Sequence, residues 1–412
     1  MNTIHPTKSF RSVQPRYVAM FSCTGPACED NCCTGWNVHI DKKTFNTYRQ
    51  AKNPELSERL SKQVKRVRSL KSDAQYARIE MDPVTKACPF MEQKLCSIQR
   101  EMGEDKLSDT CSTYPRNSRL IAGQHELALT LSCPEAARLA LLKEDAMDFV
   151  EDAVRLRPNV ISATRTLHGL TPEMMSSIRI FALQFMRTSG LVLWQKLALL
   201  GVFCEQLTQT LKTSGHSRIP AMLENIQGMV SNGLIVDALS EMQPDYASQA
   251  KVFSSLWQLK IKGRLSLQQE MVQKAVALGL GADPLTNEVS EEQLIEKYIS
   301  GVGNLHTAMI NVPFLLENYV INEMFNEVFP FGAVTPDEHF QKLVTRLGLI
   351  RLMLAAQCND SKNLPPPEQM AKTIQVFCRL YQHDTNFSNT VNNALKTSGW
   401  NNLNKIFKFI RV

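Results

Sequence analysis

Phe21-Ser22-Cys23-Thr24-Gly25-Pro26-Ala27-Cys28-Glu29-Asp30-Asn31-Cys32-Cys33 is the stretch on which the reading of this chain turns. Working outward from it, Cys88-Pro89-Phe90 comes next, then Cys96, Cys111 and Cys133. Eight of the eleven cysteines thus precede position 134. The other three, Cys204, Cys358 and Cys378, stand singly in apolar, helix-like patterns, where cysteine acts as a small hydrophobe. Met1 to Arg16 carries Lys8, Arg11 and Arg16 but no apolar run, so no secretory signal is read there. Cysteines crowded at one end of such a chain point to metal rather than to disulfides.

Thiolates are soft ligands that favour iron–sulfur clusters and zinc. A cubane cluster takes up to four of them. Adjacent Cys32 and Cys33 project in different directions, so one ligates while the other packs, or each serves a different site. Eight thiols allow one four-cysteine cluster with four structural thiols, a cluster beside a zinc site, or three thiolates and an open iron. Structural zinc alone is the plainer alternative. The Cys-x3-Cys-x2-Cys triplet of radical enzymes is not matched, because Cys28-x3-Cys32 is followed at once by Cys33.

The chain has 412 residues, enough for two or three domains. With 43% hydrophobic and 21% charged residues, its composition is that of a globular protein. A net charge of +6 is small for this length. Aromatic residues are not interleaved with basic ones, so nucleic acid is not an expected partner. The longest apolar stretch, Leu191–Cys204, is interrupted by Gln195 and Lys196 and is too short to span a bilayer. It reads as a buried helix, with peripheral membrane contact as the alternative, and a cytoplasmic location is expected.

Three zones are expected. Residues 1–140 form a cysteine-rich metal-cluster domain. It opens on a strand at Arg16–Phe21, and a basic helical stretch runs from Arg59 to Lys71, a solvated face or a docking surface for an acidic partner. Alternating Leu127, Leu129 and Leu131, beyond Ala122-Gly123-Gln124, signal a hairpin with Ser118–Ile121 that delivers Cys133. Residues 141–310 read as helical throughout: Thr171-Pro172-Glu173 opens one helix, and Ser290-Glu291-Glu292-Gln293 is a capping-box pattern. Residues 311–412 are a C-terminal helical region, with Leu364-Pro365-Pro366-Pro367 as a linker. Gly279-Leu280-Gly281 follows a helical pattern rather than a strand, so it is not a dinucleotide loop. The expected fold is mainly α: a small cysteine-rich metal-binding domain with a few short strands, packed on a larger all-helical body.

The cysteine run, together with Thr34-Gly35-Trp36 and Ile40-Asp41-Lys42, resembles the flagellin lysine-N-methylases. So do Leu95-Cys96-Ser97-Ile98, Leu107-Ser108-Asp109-Thr110-Cys111, Tyr114-Pro115-Arg116 and Leu131-Ser132-Cys133-Pro134-Glu135. Leu316-Glu317-Asn318-Tyr319 running to Phe329-Pro330-Phe331 fits the same family. The likeness is dense over the first 140 residues and patchy beyond. A broader set of zinc- or iron-chelating proteins has a similar eight-cysteine plan. The resemblance implies methyl transfer from S-adenosylmethionine to lysine side chains of flagellin in the cytosol, with a [4Fe-4S] cluster needed for activity. The metal candidates are Cys23, Cys28, Cys32, Cys33, Cys88, Cys96, Cys111 and Cys133.

Lysine has a free pKa of about 10.4, and only the neutral amine attacks a sulfonium methyl. Tyr17, Tyr48, Tyr114, Asp41 and His39 lie near the cysteine motifs and are candidates for taking the proton. Each also has an ordinary structural reading. Trp36 either shields the metal or packs in the core. Arg116 either faces an anion or forms a salt bridge. Glu135 suits the first turn of a helix. The competing functions are a non-catalytic zinc- or iron-binding protein and an adaptor for flagellin or an export component. The long helical surface beyond Cys133 favours an enzyme that grips a protein substrate.

Overall fold

The computed structural model describes residues 4–34, 37–70, 72–164, 166–213, 215–232, 239, 241–259, 265–360, 362–383 and 385–412. Trp36 and Lys71 lie outside them. The architecture is mainly α, as expected.

One mixed sheet organises the N-terminal part. Its strands are β1 (Lys8–Pro15), β2 (Arg116–Ile121), β3 (Gln124–Leu129), β4 (Phe149–Leu156) and β5 (Ser162–Ala163), in the order β5-β2-β3-β1-β4. β1 runs antiparallel to β4 from Lys8↔Leu156 to Pro15↔Phe149 and parallel to β3 at Ser12↔His125. The expected hairpin is β2–β3. Its two turn residues, Ala122 and Gly123, have φ of 51° and 78°, the left-handed pair that a two-residue hairpin requires.

Three local expectations are corrected. Arg16–Phe21 is not a strand, because the strand ends at Pro15 and Arg16–Ala19 is one helical turn. Tyr17 and Val18 are both buried, and strand alternation cannot place successive residues on one face. The basic helix stops at Gln63, and Val64–Arg66 turns into a strand paired with Ala77–Ile79. The zone from 141 is not helical throughout, since β4 and β5 belong to the sheet. β4 is an edge strand whose exposed Glu151, Asp152 and Arg155 hide its period, and such charges are how edges avoid unwanted pairing.

Among the described residues two hydrophobic cores dominate, beside a minor cluster at Ala198, Leu199 and Leu239. The smaller gathers Val38, Ile40, Tyr48, Leu56, Leu60, Phe90 and Ile98 with their neighbours, all within residues 38–107. The larger runs from Tyr17 through the sheet and the helices to Ile410. At its centre lies Pro336–Gln357, nearly all of it buried. Packed around this helix are Leu193–Thr213, Tyr246–Trp257, Leu267–Gly279, Glu291–Ala308, Pro367–Phe377 and Leu403–Ile410. The stretch Leu191–Cys204 therefore supplies core side chains such as Leu197, Leu200 and Phe203. Among the described residues no helix is long and apolar enough to cross a membrane. Gly279 has a packing reason: a Cβ there would overlap the carbonyl of Ala356 on the central helix.

Candidate metal centre and its supports

Six of the eight N-terminal thiols are placed by small local devices. Gly25-Pro26-Ala27 forms a 3-10 turn that closes with Cys28 N–H on Gly25 O at 3.1 Å. Asn31 Oδ1 accepts from Cys33 N–H at 3.0 Å and shapes the next turn. Cys88 N–H donates to Cys33 O at 2.8 Å, laying the two segments side by side. Met91–Glu92 and Leu95–Cys96 then form a two-stranded ribbon, with Gln93 and Lys94 left-handed at its tip, which returns Cys96 toward Cys88. Ser108 Oγ accepts from Cys111 N–H at 3.2 Å, opening the short helix Asp109–Thr113. Cys133 is buried at the cap of Pro134–Leu141.

Electrostatics sort the thiols into two neighbourhoods. Burial raises Cys133 to about 11, with Cys28 and Cys23 adding to the effect. Burial also raises Cys28, whose thiol neighbours are Cys32 and Cys23. In the second neighbourhood, burial raises Cys88 to about 11 and Cys111 to about 12, with Cys96 among the contributing thiols of both. Cys33 is pushed up first by its hydrogen bond to Cys32 and then by burial, with Cys88 and Cys96 beside it. Cys32 is lowered to about 7 because Cys33 hydrogen-bonds to it; burial opposes this and the Arg379 guanidinium adds to it. Cys32 thus stands between the two groups.

Cys32 and Cys111 are crowded by protein atoms yet keep exposed surface, so they sit in recesses open to solvent. The donor set is uniformly soft and fits a thiolate-bound metal group in its chemistry. In placement it stops short of a closed cage: among the described residues no three His, Cys, Asp or Glu side chains stand ready to clasp one ion.

Reading the sequence missed what holds the cysteine loop from behind. Asp30 is buried and faces Arg379 Nε at 3.5 Å. Gln375 Nε2 donates to Asp30 Oδ2 at 3.0 Å and to Ser132 O at 2.9 Å. Arg379 also donates to Asn31 O at 2.8 Å. The residues Cys378–Gln382 are a π-helical turn, a form that often marks functional sites. No spacing rule links residue 30 to residue 379; the only local hint was the polar Glu29-Asp30-Asn31 inside the thiol run.

Residues 179–409 match the family described as the FliB lysine N-methylase C-terminal domain. The chain belongs to the FliB lysine N-methylase family. It is 23% identical to a lysine-N-methylase of Salmonella choleraesuis, covering 95% of this chain and 96% of that protein. It is 30% identical to a lysine-N-methylase of Salmonella typhimurium over 43% of this chain and 42% of that one. It is also 33% identical to the flagellar biosynthetic protein FliU of Salmonella muenchen, over 34% of this chain and 82% of that protein. No solved structure matches. The FliB C-terminal domain therefore contains Gln375 and Arg379, while the eight clustered cysteines precede it.

Within that FliB domain, Leu315–Asn326 is a buried pillar most of whose polar groups are used internally, the Tyr319 hydroxyl being buried without a hydrogen-bond partner. Glu317 pairs with Lys196 at 2.8 Å. Asn318 donates to Ala140 O and Lys143 O. Glu323 pairs with Arg346 at 2.8 Å and accepts from Gln382. Beyond its end, Glu327 pairs with Lys342 at 2.8 Å. His339 Nδ1 accepts from Gly332 N–H at 2.9 Å, and burial pulls its pKa down to about 3.

The proton-taking candidates separate. The Tyr17 hydroxyl lies 2.6 Å from Asn322 Oδ1 and is held up by burial, a core role. Asp41 caps Lys42–Tyr48 through Lys43 N–H and Thr44 N–H, also structural. Glu135 sits in the first turn of its helix and pairs with Arg138, as its local reading expects. Burial raises Tyr48, which faces Cys111, Cys96 and Cys88. Burial raises Tyr114 too, and its hydroxyl is 3.1 Å from Ser132 Oγ. Among the described residues His39 Nδ1 is buried without a hydrogen-bond partner. Arg116 lies over the Phe21 ring at 5.3 Å.

Proposed function

We propose that this lysine N-methylase transfers the methyl group of S-adenosylmethionine to lysine side chains of flagellin in the cytoplasm, and that its N-terminal thiols hold an iron–sulfur cluster. What supports the proposal is the chain's membership of the lysine N-methylase family, together with Arg379 and Gln375 of the FliB C-terminal domain bracing the loop that carries Cys32 and Cys33. Cys33, Cys88, Cys96 and Cys111 would be one ligand set, and Cys23, Cys28 and Cys133 would line the other. Such a cluster supplies either an anchoring Lewis-acid iron or a cross-link that organises the surrounding loops.

In the reaction an N–CH3 bond forms and the S–CH3 bond breaks. The sulfonium leaves as the neutral thioether S-adenosylhomocysteine, and the lysine ammonium gives up its proton to a base or to water. The protein's task is to desolvate the amine and hold it in line with the methyl group. Tyr48 and Tyr114, raised by burial beside the thiols, are poised as hydrogen-bond donors rather than as bases.

The test is anaerobic purification, measurement of bound iron, sulfide and zinc, and mass spectrometry of flagellin incubated with the protein and S-adenosylmethionine. Matched iron and sulfide, with one methylene of added mass per modified lysine, is the expected result. Stoichiometric zinc without iron overturns the cluster, and unmodified flagellin overturns the substrate.

A further inference from the structure

We infer that S-adenosylmethionine binds in the cleft between the sheet face of β1, β3 and β4 and the loops that lead into Cys23 and Cys111, with Arg116 taking its carboxylate. This rests on the methylation reading above. The cleft has a volume of about 580 Å³, a size typical of small-molecule pockets. Its floor is Gln14, Leu127, Val154 and Leu156. Val18 and Phe21 close one side, and Asp105, Ser112 and Thr113 close the other. Ser112 directly follows Cys111, and Phe21 is separated from Cys23 by one residue, so two of the cleft's walls continue along the chain into thiol-bearing segments.

Two side chains mark it as a ligand site rather than a packing defect. Among the described residues Arg116 has no carboxylate partner, and its guanidinium carbon lies 5.3 Å from the centre of the Phe21 ring. The nearby Arg157, by contrast, is fully occupied by Leu107 O, Glu104 O and Asp109. Gln14 is 1% exposed, yet its Oε1 is buried with no hydrogen-bond partner. Its Nε2 makes only a long contact, 3.5 Å, with Asp152 Oδ2. A buried acceptor of this kind calls for an N–H donor.

The charges fit this ligand. A free guanidinium suits an α-carboxylate, often by two parallel bonds. Gln14 Oε1 and the Asp152 carboxylate at the mouth suit an α-ammonium. Val18, Leu127, Val154 and Phe21 offer an apolar surface for the adenosine. Glu104, Asp105 and Asp152 line the same cleft as Arg116, Arg155 and Arg157, so it presents both signs of charge, as a ligand with a carboxylate, an ammonium and a sulfonium requires. On this assignment the cosubstrate is held by ordinary side chains.

The test uses the full chain purified anaerobically, with S-adenosylmethionine and S-adenosylhomocysteine as calorimetric probes. Arg116→Gln and Gln14→Leu are compared with Arg11→Gln, which alters an exposed pair with Glu151. Arg116→Gln is expected to weaken binding roughly ten- to hundredfold. Gln14→Leu should also weaken it, and Arg11→Gln should leave it unchanged. In case a variant folds poorly, ultraviolet cross-linking of methyl-labelled S-adenosylmethionine to the unaltered protein is mapped, with label expected in the peptides around Phe21 or Arg116. Unchanged affinity in both cleft variants, or label in a different segment, overturns the cleft while leaving the methylation reading intact. If the unaltered protein binds neither probe, the cosubstrate itself is wrong and both readings fall.

Discussion

The small core of residues 38–107 and the helical body bury their side chains by opposite means. The body wraps long helices round Pro336–Gln357 and neutralises its buried charges internally, as with Glu323 and Arg346. The small core is assembled from strands of two or three residues and short helices, and Cys88 and Cys96 pack on its edge. It is tied down from outside: His5 Nε2 lies 2.7 Å from Thr44 Oγ1, and Arg157 holds the carbonyls of Glu104 and Leu107. A core of that size does not supply enough burial to stand alone and needs staples. One part of the molecule carries its own stability, and the other borrows it from its neighbours.

The largest effect should come from breaking the body from within. Glu323→Ala takes from buried Arg346 its close carboxylate and leaves only Glu327 at 3.9 Å, at a cost of at most about 3–5 kcal/mol. Urea unfolding should show it, with partial recovery in the Glu323→Ala, Arg346→Met double variant; a wild-type midpoint for the single variant would remove the contrast. Metal loading should come next. Cys28, Cys88, Cys96, Cys111 and Cys133 all sit above the usual thiol range, so each thiol that ligates must first lose a proton. Apparent affinity should therefore rise about tenfold per released proton for each unit of pH below those raised values. Cobalt titrations at two pH values in weak buffer measure both the affinity and the protons; an affinity indifferent to pH breaks the idea.

Arg157→Leu should sharpen the comparison at about 1–3 kcal/mol, the cost of leaving buried carbonyls unmet. Hydrogen exchange should speed up across residues 38–107 and stay slow across Pro336–Gln357. Uniform change in both places would show a single cooperative unit instead. His339 gives a term that is felt only in acid. Its folded pKa of about 3 lies below the unfolded value near 6.5, so the unfolded chain binds the proton more readily. That contribution is complete above pH 6.5 and is lost as pH falls toward 3. His339→Asn should flatten the fall of the thermal midpoint across that window. Smallest of all, Arg11→Ala should shift stability by less than about 0.5 kcal/mol, because its partner Glu151 is also exposed.

The capped helices were legible from local chemistry. Thr171 accepts from Met174 N–H and Ser290 from Gln293 N–H, as their sequences announce. The β2–β3 hairpin was legible because its alternation and its turn residues agree. β1 was not, since Lys8–Pro15 buries Ser12 and Gln14 and shows no apolar period. Nor was β4, whose outward face is charged. The thiol motifs pointed to a metal from spacing alone. Which thiols neighbour which depends on folding Cys88 against Cys33, and that contact is set by backbone bonds between distant segments. Arg379 was invisible for the same reason, and so was the cleft under Arg116, whose walls come from four separated stretches of chain.

That distance has a consequence for how the molecule is made. Asn31 and Arg379 are separated by 348 positions. At synthesis rates of about 5–20 residues per second, the cysteine loop leaves the ribosome roughly 17–70 s before its arginine exists. For that interval the loop is open on the side that the finished protein closes. Cofactor delivery to a nascent chain would meet an unlatched site, while delivery to the completed protein must work past a bolt already drawn.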